Sequence, residues 1–122
     1  MEPISAFFGR YLQAFSNPAQ IATFYNEPFV AAREGKIRLS QTRKDTEAFF
    51  KEILDKYRAK GFDGGKLLAI DAAELGINAA RATIRWAYQD RAGRALWEST
   101  FSYNLCSVGG AWKIVLQTLH DE

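Results

Sequence analysis

At Lys66 the spacing of apolar residues changes from three and four to two, and that switch divides the chain into a helical part and a sheet part. Before it, Ile4, Phe7, Phe8, Tyr11, Leu12 and Phe15 recur on one stripe of a first helix. Asn17-Pro18 reads as an N-cap with proline at the first helical position. It opens a short second helix whose Ile21, Phe24 and Tyr25 face inward and which Pro28 stops. Residues 29–32 and 36–39 form a small hairpin around Gly35. Thr42, with Asp45 three residues on, resembles a capping box for a third helix. Phe49, Phe50, Ile53, Leu54 and Tyr57 make its inner face, Lys56, Arg58 and Lys60 suit its dipole, and Gly61 ends it.

After the switch, Ala80, Ala82, Ile84, Trp86 and Tyr88 alternate with Arg81, Thr83, Arg85 and Gln89, giving one apolar and one polar face. Asp90-Arg91-Ala92-Gly93 is a turn. The next strand turns Trp97, Ser99, Phe101, Tyr103 and Leu105 inward. Gly109-Gly110 is another turn, and Trp112, Ile114, Leu116, Thr118 and His120 share one face of the last strand. In 66–75 the apolar residues Leu67, Leu68, Ala69 and Ile70 are consecutive, so two faces compete. Ile70 and Ala72 are the expected inward pair, which leaves Asp71 on the surface. Helices followed by a meander predict one α+β domain over 1–122, with three N-terminal helices packed on a strongly curved, mostly antiparallel sheet.

Composition narrows the function classes. With 122 residues, 48% of them hydrophobic, the chain can bury a core without a metal or disulfide. Sixteen Lys or Arg against fourteen Asp or Glu give a net charge of +2, which argues against a nucleic-acid partner. Nine Phe, five Tyr and three Trp exclude disorder. No apolar run approaches the ~20 residues of a membrane span. Met1-Glu2-Pro3 lacks the basic start of a secretory signal, and Cys106 is the lone cysteine, so a cytoplasmic location is expected. One His and one Cys supply no metal-ligand spacing, and no cofactor is expected.

Strand register points to a site. A turn at 90–93 sets Trp86 opposite Trp97, Ile84 opposite Ser99 and Arg85 opposite Glu98. A turn at Val108-Gly109 sets Trp97 opposite His120, Ser99 opposite Thr118 and Tyr103 opposite Ile114. The inner face is then apolar at one end. At the other, Trp86, Tyr88, Trp97, Ser99, Thr118 and His120 mix aromatic walls with hydroxyls and an imidazole, as small-molecule pockets do, and Tyr25 joins them. His120 could exchange protons near neutrality, or it is a chain-end residue packed beside Trp97. Glu27 and Tyr11 are the available second groups for catalysis; turn chemistry favours Glu27 as a helix-exit residue, and the spacing of Tyr11 is equally that of a core residue. Arg33, Lys36, Arg38, Arg43 and Lys44, interrupted by Glu34 and Asp45, read as a solvated edge.

The order of helix, short helix, Phe24-Tyr25-Asn26-Glu27-Pro28-Phe29-Val30, long helix and a meander ending in Gly110-Ala111-Trp112-Lys113-Ile114 resembles the nuclear-transport-factor-2-like superfamily. It is similar to small bacterial members with a tyrosine-x-glutamate-proline segment and a terminal leucine-histidine-aspartate, here Leu119-His120-Asp121. The resemblance implies a cone-shaped cavity between sheet and helices and a homodimer through the sheet face. The superfamily holds ketosteroid isomerases, polyketide cyclases, epoxide hydrolases and members without catalysis. Its isomerases place a carboxylate on the first hairpin, where Val30-Ala31-Ala32-Arg33 has none. The expectation is a domain binding a small apolar or aromatic molecule in an apolar cone. The alternative is a cyclase- or isomerase-like enzyme moving a proton in that cone, and a filled structural domain is a third.

Overall fold

The computed structural model describes residues 1–121. Its helices are α1 (Ile4–Ala14), α2 (Pro18–Ala22) and α3 (Arg43–Ala59), and its strands are β1 (Tyr25–Arg33), β2 (Lys36–Ser40), β3 (Gly64–Glu74), β4 (Ala79–Gln89), β5 (Ala95–Val108) and β6 (Ala111–Leu119). The strands form one curved sheet in the order β2-β1-β6-β5-β4-β3, antiparallel except where β1 lies beside β6. The helices cover its inner face, which makes the α+β fold expected from the periodicity switch.

The helix starts follow from side-chain acceptors. Asn17 accepts from the Ala19 and Gln20 amides, and Thr42 and Asp45 form a reciprocal capping box. The α1 stripe carries Phe7, Phe8 and Tyr11 into the core at 2% exposure or less. Phe8 reaches the sheet, with its ring centroid 4.8 Å from that of Tyr103.

The second helix is shorter than expected. It ends at Ala22, and Tyr25 and Pro28 belong to β1. Proline is tolerated because β1 pairs with β6 at Tyr25 and again only from Val30, so Pro28 lies where that ladder asks for no N–H donor.

The β4–β5 pairing slides by two from the expected register: Trp86 faces Ser99, Tyr88 faces Trp97, Ile84 faces Phe101 and Arg85 faces Thr100. The Asp90 carboxylate accepts from the Ala92 and Arg94 amides and closes a wider loop before the ladder begins. An even slide keeps every side chain on its face.

The β5–β6 pairing corrects the sequence reading more deeply. The turn is Gly109-Gly110, both with positive φ, so Val108 faces Ala111. Leu105 then faces Ile114 while Asn104 faces Leu116, leaving Val115 as the extra residue of a bulge. One extra residue reverses the faces beyond it. Gln117 turns inward and is 4% exposed, whereas Leu116, Thr118 and His120 turn outward. A second irregularity between Leu67 and Ala69 lets both Leu67 and Ile70 pack against the core. Asp71 stays on the surface, 3.6 Å from Arg81.

Candidate functional site

A cavity of about 230 Å3 lies between the sheet and the helices. Strands β4 and β5 supply Trp86, Tyr88, Phe101 and Tyr103 to it, α1 supplies Tyr11 and Leu12, its C-cap residue is Phe15, and α3 supplies Phe50, Ile53 and Tyr57. Arg33 at the end of β1 and Gln117 on β6 complete the lining opposite the α3–β3 junction, where Asp63 is exposed.

Most polar groups around the cavity are already committed. The Trp86 indole donates to the Tyr103 hydroxyl at 2.9 Å. Gln117 Nε2 donates to the Tyr25 hydroxyl at 3.0 Å, and the Tyr25 and Tyr11 hydroxyls meet at 2.6 Å. The Tyr88 hydroxyl bonds to Ser99 at 2.7 Å. Burial is the largest cause that holds the Tyr11, Tyr25, Tyr103 and Tyr88 phenols above their ordinary range, with neighbouring tyrosines adding to it. These phenols stay neutral through physiological pH, so they act as hydrogen-bonding groups and not as bases.

Two groups on the lining stand apart from these bonds. Gln117 Oε1 is buried and has no hydrogen-bond partner in the protein, a situation that costs about 1–3 kcal/mol. The half-buried Arg33 guanidinium lies 5.9 Å from the Phe101 ring centroid and makes no ion pair among the described residues. Sequence reasoning missed both. Arg33 reads in the sequence as part of a solvated basic edge, although it alternates with inward Ala31. Strict alternation from Ile114 leaves Gln117 off the inner face, and the bulge at Val115 turns it inward.

Of the residues expected in the site, Trp86, Tyr88 and Tyr11 line the cavity. Tyr25 and Ser99 stand one hydrogen bond behind Tyr11 and Tyr88. Trp97 is stacked against Tyr88 at 4.8 Å between centroids, with the Lys60 ammonium 5.5 Å from its own ring. Glu27 is exposed. Thr118 and His120 lie on the opposite face, where His120 Nε2 meets Ser102 Oγ at 2.7 Å and Ser102 meets Thr83 Oγ1 at 3.1 Å. Among the described residues no cluster of His, Cys, Asp or Glu could hold a metal ion, and no helix is long and apolar enough to cross a membrane.

A family model described as NTF2-like protein (DUF6841) matches residues 1–122. The chain belongs to this NTF2-like family. No curated protein matches it. Solved structures similar to this NTF2-like chain include an NTF-2 like protein of unknown function from Shewanella oneidensis MR-1, at 18% identity and a TM-score of 0.76 over 97% of this chain and 96% of that one. An NTF2-like protein with a cystatin-like fold from Novosphingobium aromaticivorans is similar at 15% identity and a TM-score of 0.74, covering 95% of this chain and 77% of that one. Aln2 from a Streptomyces species is similar at 10% identity and a TM-score of 0.77, covering 96% of this chain and 86% of that one. At these identities the likeness is one of fold.

Proposed function

We propose that this NTF2-like domain binds a small, mostly aromatic molecule in the cavity between its sheet and helices. The observation that carries this reading is the cavity itself, about 230 Å3 within an interior otherwise packed with aromatic rings. Protein interiors leave few voids larger than a water molecule. An engineered apolar cavity of about 150 Å3 takes up benzene, so the space here suits one substituted ring. Drug-sized ligands occupy pockets of about 300–1,000 Å3, which argues against a long lipid or a polycyclic skeleton.

The neutral phenols favour binding over proton transfer. General acid–base catalysis is most efficient with a group whose pKa lies near the working pH. His120 stands on the other face and Glu27 is exposed, so neither reaches the cavity.

Thermal unfolding with a panel of single-ring aromatics, read alongside tryptophan fluorescence, tests the proposal. A ligand at a hundred times its Kd stabilises the folded state by about 2.7 kcal/mol. Leu12→Trp, which fills the cavity from α1, is expected to abolish that shift. Failure of every compound to move the melting temperature or the fluorescence would contradict the reading.

The homodimer is proposed on the outer face. Ile37 and Leu39, 79% and 53% exposed, pair with Ala32 and Val30, and Leu116 lies next to Val30, forming an apolar strip on that side. Such a strip suits an isologous twofold contact.

A further inference from the structure

We infer that the cavity's ligand is an aromatic acid that also carries a hydroxyl or amino group, its carboxylate held by Arg33 and its N–H or O–H donor by Gln117 Oε1. This rests on the reading of the cavity as a ligand site and goes further by naming the ligand's chemistry.

The inference comes from an inventory of the lining. The hydroxyls of Tyr11, Tyr88 and Tyr103 already bond to Tyr25, Ser99 and the Trp86 indole, so each offers a ligand only the remaining part of its hydrogen-bonding capacity. Gln117 Nε2 is likewise occupied by Tyr25. Of the charged and amide groups on the lining, Arg33 is the cation and Gln117 Oε1 is the buried acceptor without a donor. Arg33 lies over the Phe101 ring with no carboxylate partner among the described residues, and the lining's carboxylate, Asp63, sits exposed at the rim. A guanidinium in partly apolar surroundings is best matched by a carboxylate, which it can bind through two parallel N–H donors. Gln117 Oε1, an acceptor without a donor, asks for an N–H or O–H.

The two groups are neighbours by construction. Parallel pairing of β1 and β6 sets Ala31 beside Gln117, and Arg33 follows two residues later on the same inner face. Two residues advance a strand by about 7 Å, a separation that the substituents of one benzene ring can span between converging side chains. The ring itself would lie among Trp86, Tyr88 and Tyr11, whose faces and edges suit aromatic contact.

The test is calorimetric titration at neutral pH with benzoate, its three monohydroxy isomers, benzyl alcohol and benzylamine. It uses the unaltered protein, Arg33→Met and Gln117→Leu. In the unaltered protein benzoate is expected to bind at least about tenfold more tightly than benzyl alcohol, and the best hydroxybenzoate to exceed benzoate by a similar factor. Benzylamine is expected to bind weakest. Arg33→Met should erase the preference for the acid while keeping the alcohol's affinity, which also certifies an intact fold. Gln117→Leu should erase only the gain from the hydroxyl. Alcohol binding as tight as the acids, or an acid preference that survives Arg33→Met, would overturn the inference and leave the ligand site standing. Binding of no probe, with an unchanged melting temperature, would overturn both.

Discussion

Ser102 on β5 and His120, the residue after β6, meet at 2.7 Å on the face of the sheet turned away from the cavity. The chain's sole imidazole is therefore separated from the aromatic cone by the sheet itself. His120→Ala is expected to leave the affinity of any cavity ligand within about twofold. It should lower stability by about 0.5–1.5 kcal/mol through the lost hydrogen bond. Ligand titration and urea unfolding of the variant check both parts.

The reason His120 reads differently in the sequence is physical. Alternation tells which residues share a face only while the ladder stays in step. It did so for Ala80 through Tyr88, and an even slide in the β4–β5 loop did no harm to that assignment. At Val115 a single extra residue reversed everything beyond it. Two runs of consecutive apolar residues in the sheet, Leu67 to Ile70 and Ile114 to Leu116, coincide with register irregularities. The run Trp86-Ala87-Tyr88 pairs in unbroken register, so such a run alone does not locate a bulge. The helices were legible because their caps and apolar stripes are local. Arg33 was not, since its role depends on which strand lies beside β1.

Gln117 sits in the cavity wall with one half of its amide bonded and the other half without a partner. Gln117→Leu loses a hydrogen bond worth about 0.5–1.5 kcal/mol but removes a buried orphan acceptor of comparable cost. The ligand-free variant is therefore expected to unfold within about 1 kcal/mol of the parent in urea. A loss of 3 kcal/mol or more would mean that the amide serves the fold and not a ligand.

Alkaline pH should destabilise the domain steeply. Tyr11, Tyr25 and Tyr103 hold their protons in the folded state well above the usual range, chiefly through burial. In the unfolded chain they ionise near pH 10, so the stabilisation is fully present below about pH 10 and falls as pH rises above it. Each phenol contributes about 1.4 kcal/mol per pH unit in that range. Urea midpoints measured from pH 8 to 11 should stay flat and then drop; a midpoint unchanged at pH 11 would contradict the assignment.

If two copies pair through the outer face, Leu116→Arg should break the dimer. It places a charge in the apolar strip beside Val30 and leaves the inner face untouched. Sedimentation equilibrium is expected to give twice the chain mass for the parent and the chain mass for the variant, with ligand affinity retained. A monomeric parent would remove the proposed interface.

The most direct measurement uses the three indole N–H signals in a nitrogen–proton correlation spectrum during titration with the tightest-binding hydroxybenzoate. Trp86 lines the cavity, Trp97 lies behind Tyr88, and Trp112 is bonded to the Glu2 carbonyl outside the cavity lining. The Trp86 signal is expected to shift strongly and saturate, Trp97 to shift less and Trp112 to stay in place. Three unmoved signals at saturating ligand, or a Trp112 shift as large as that of Trp86, would contradict a ligand seated between the sheet and the helices.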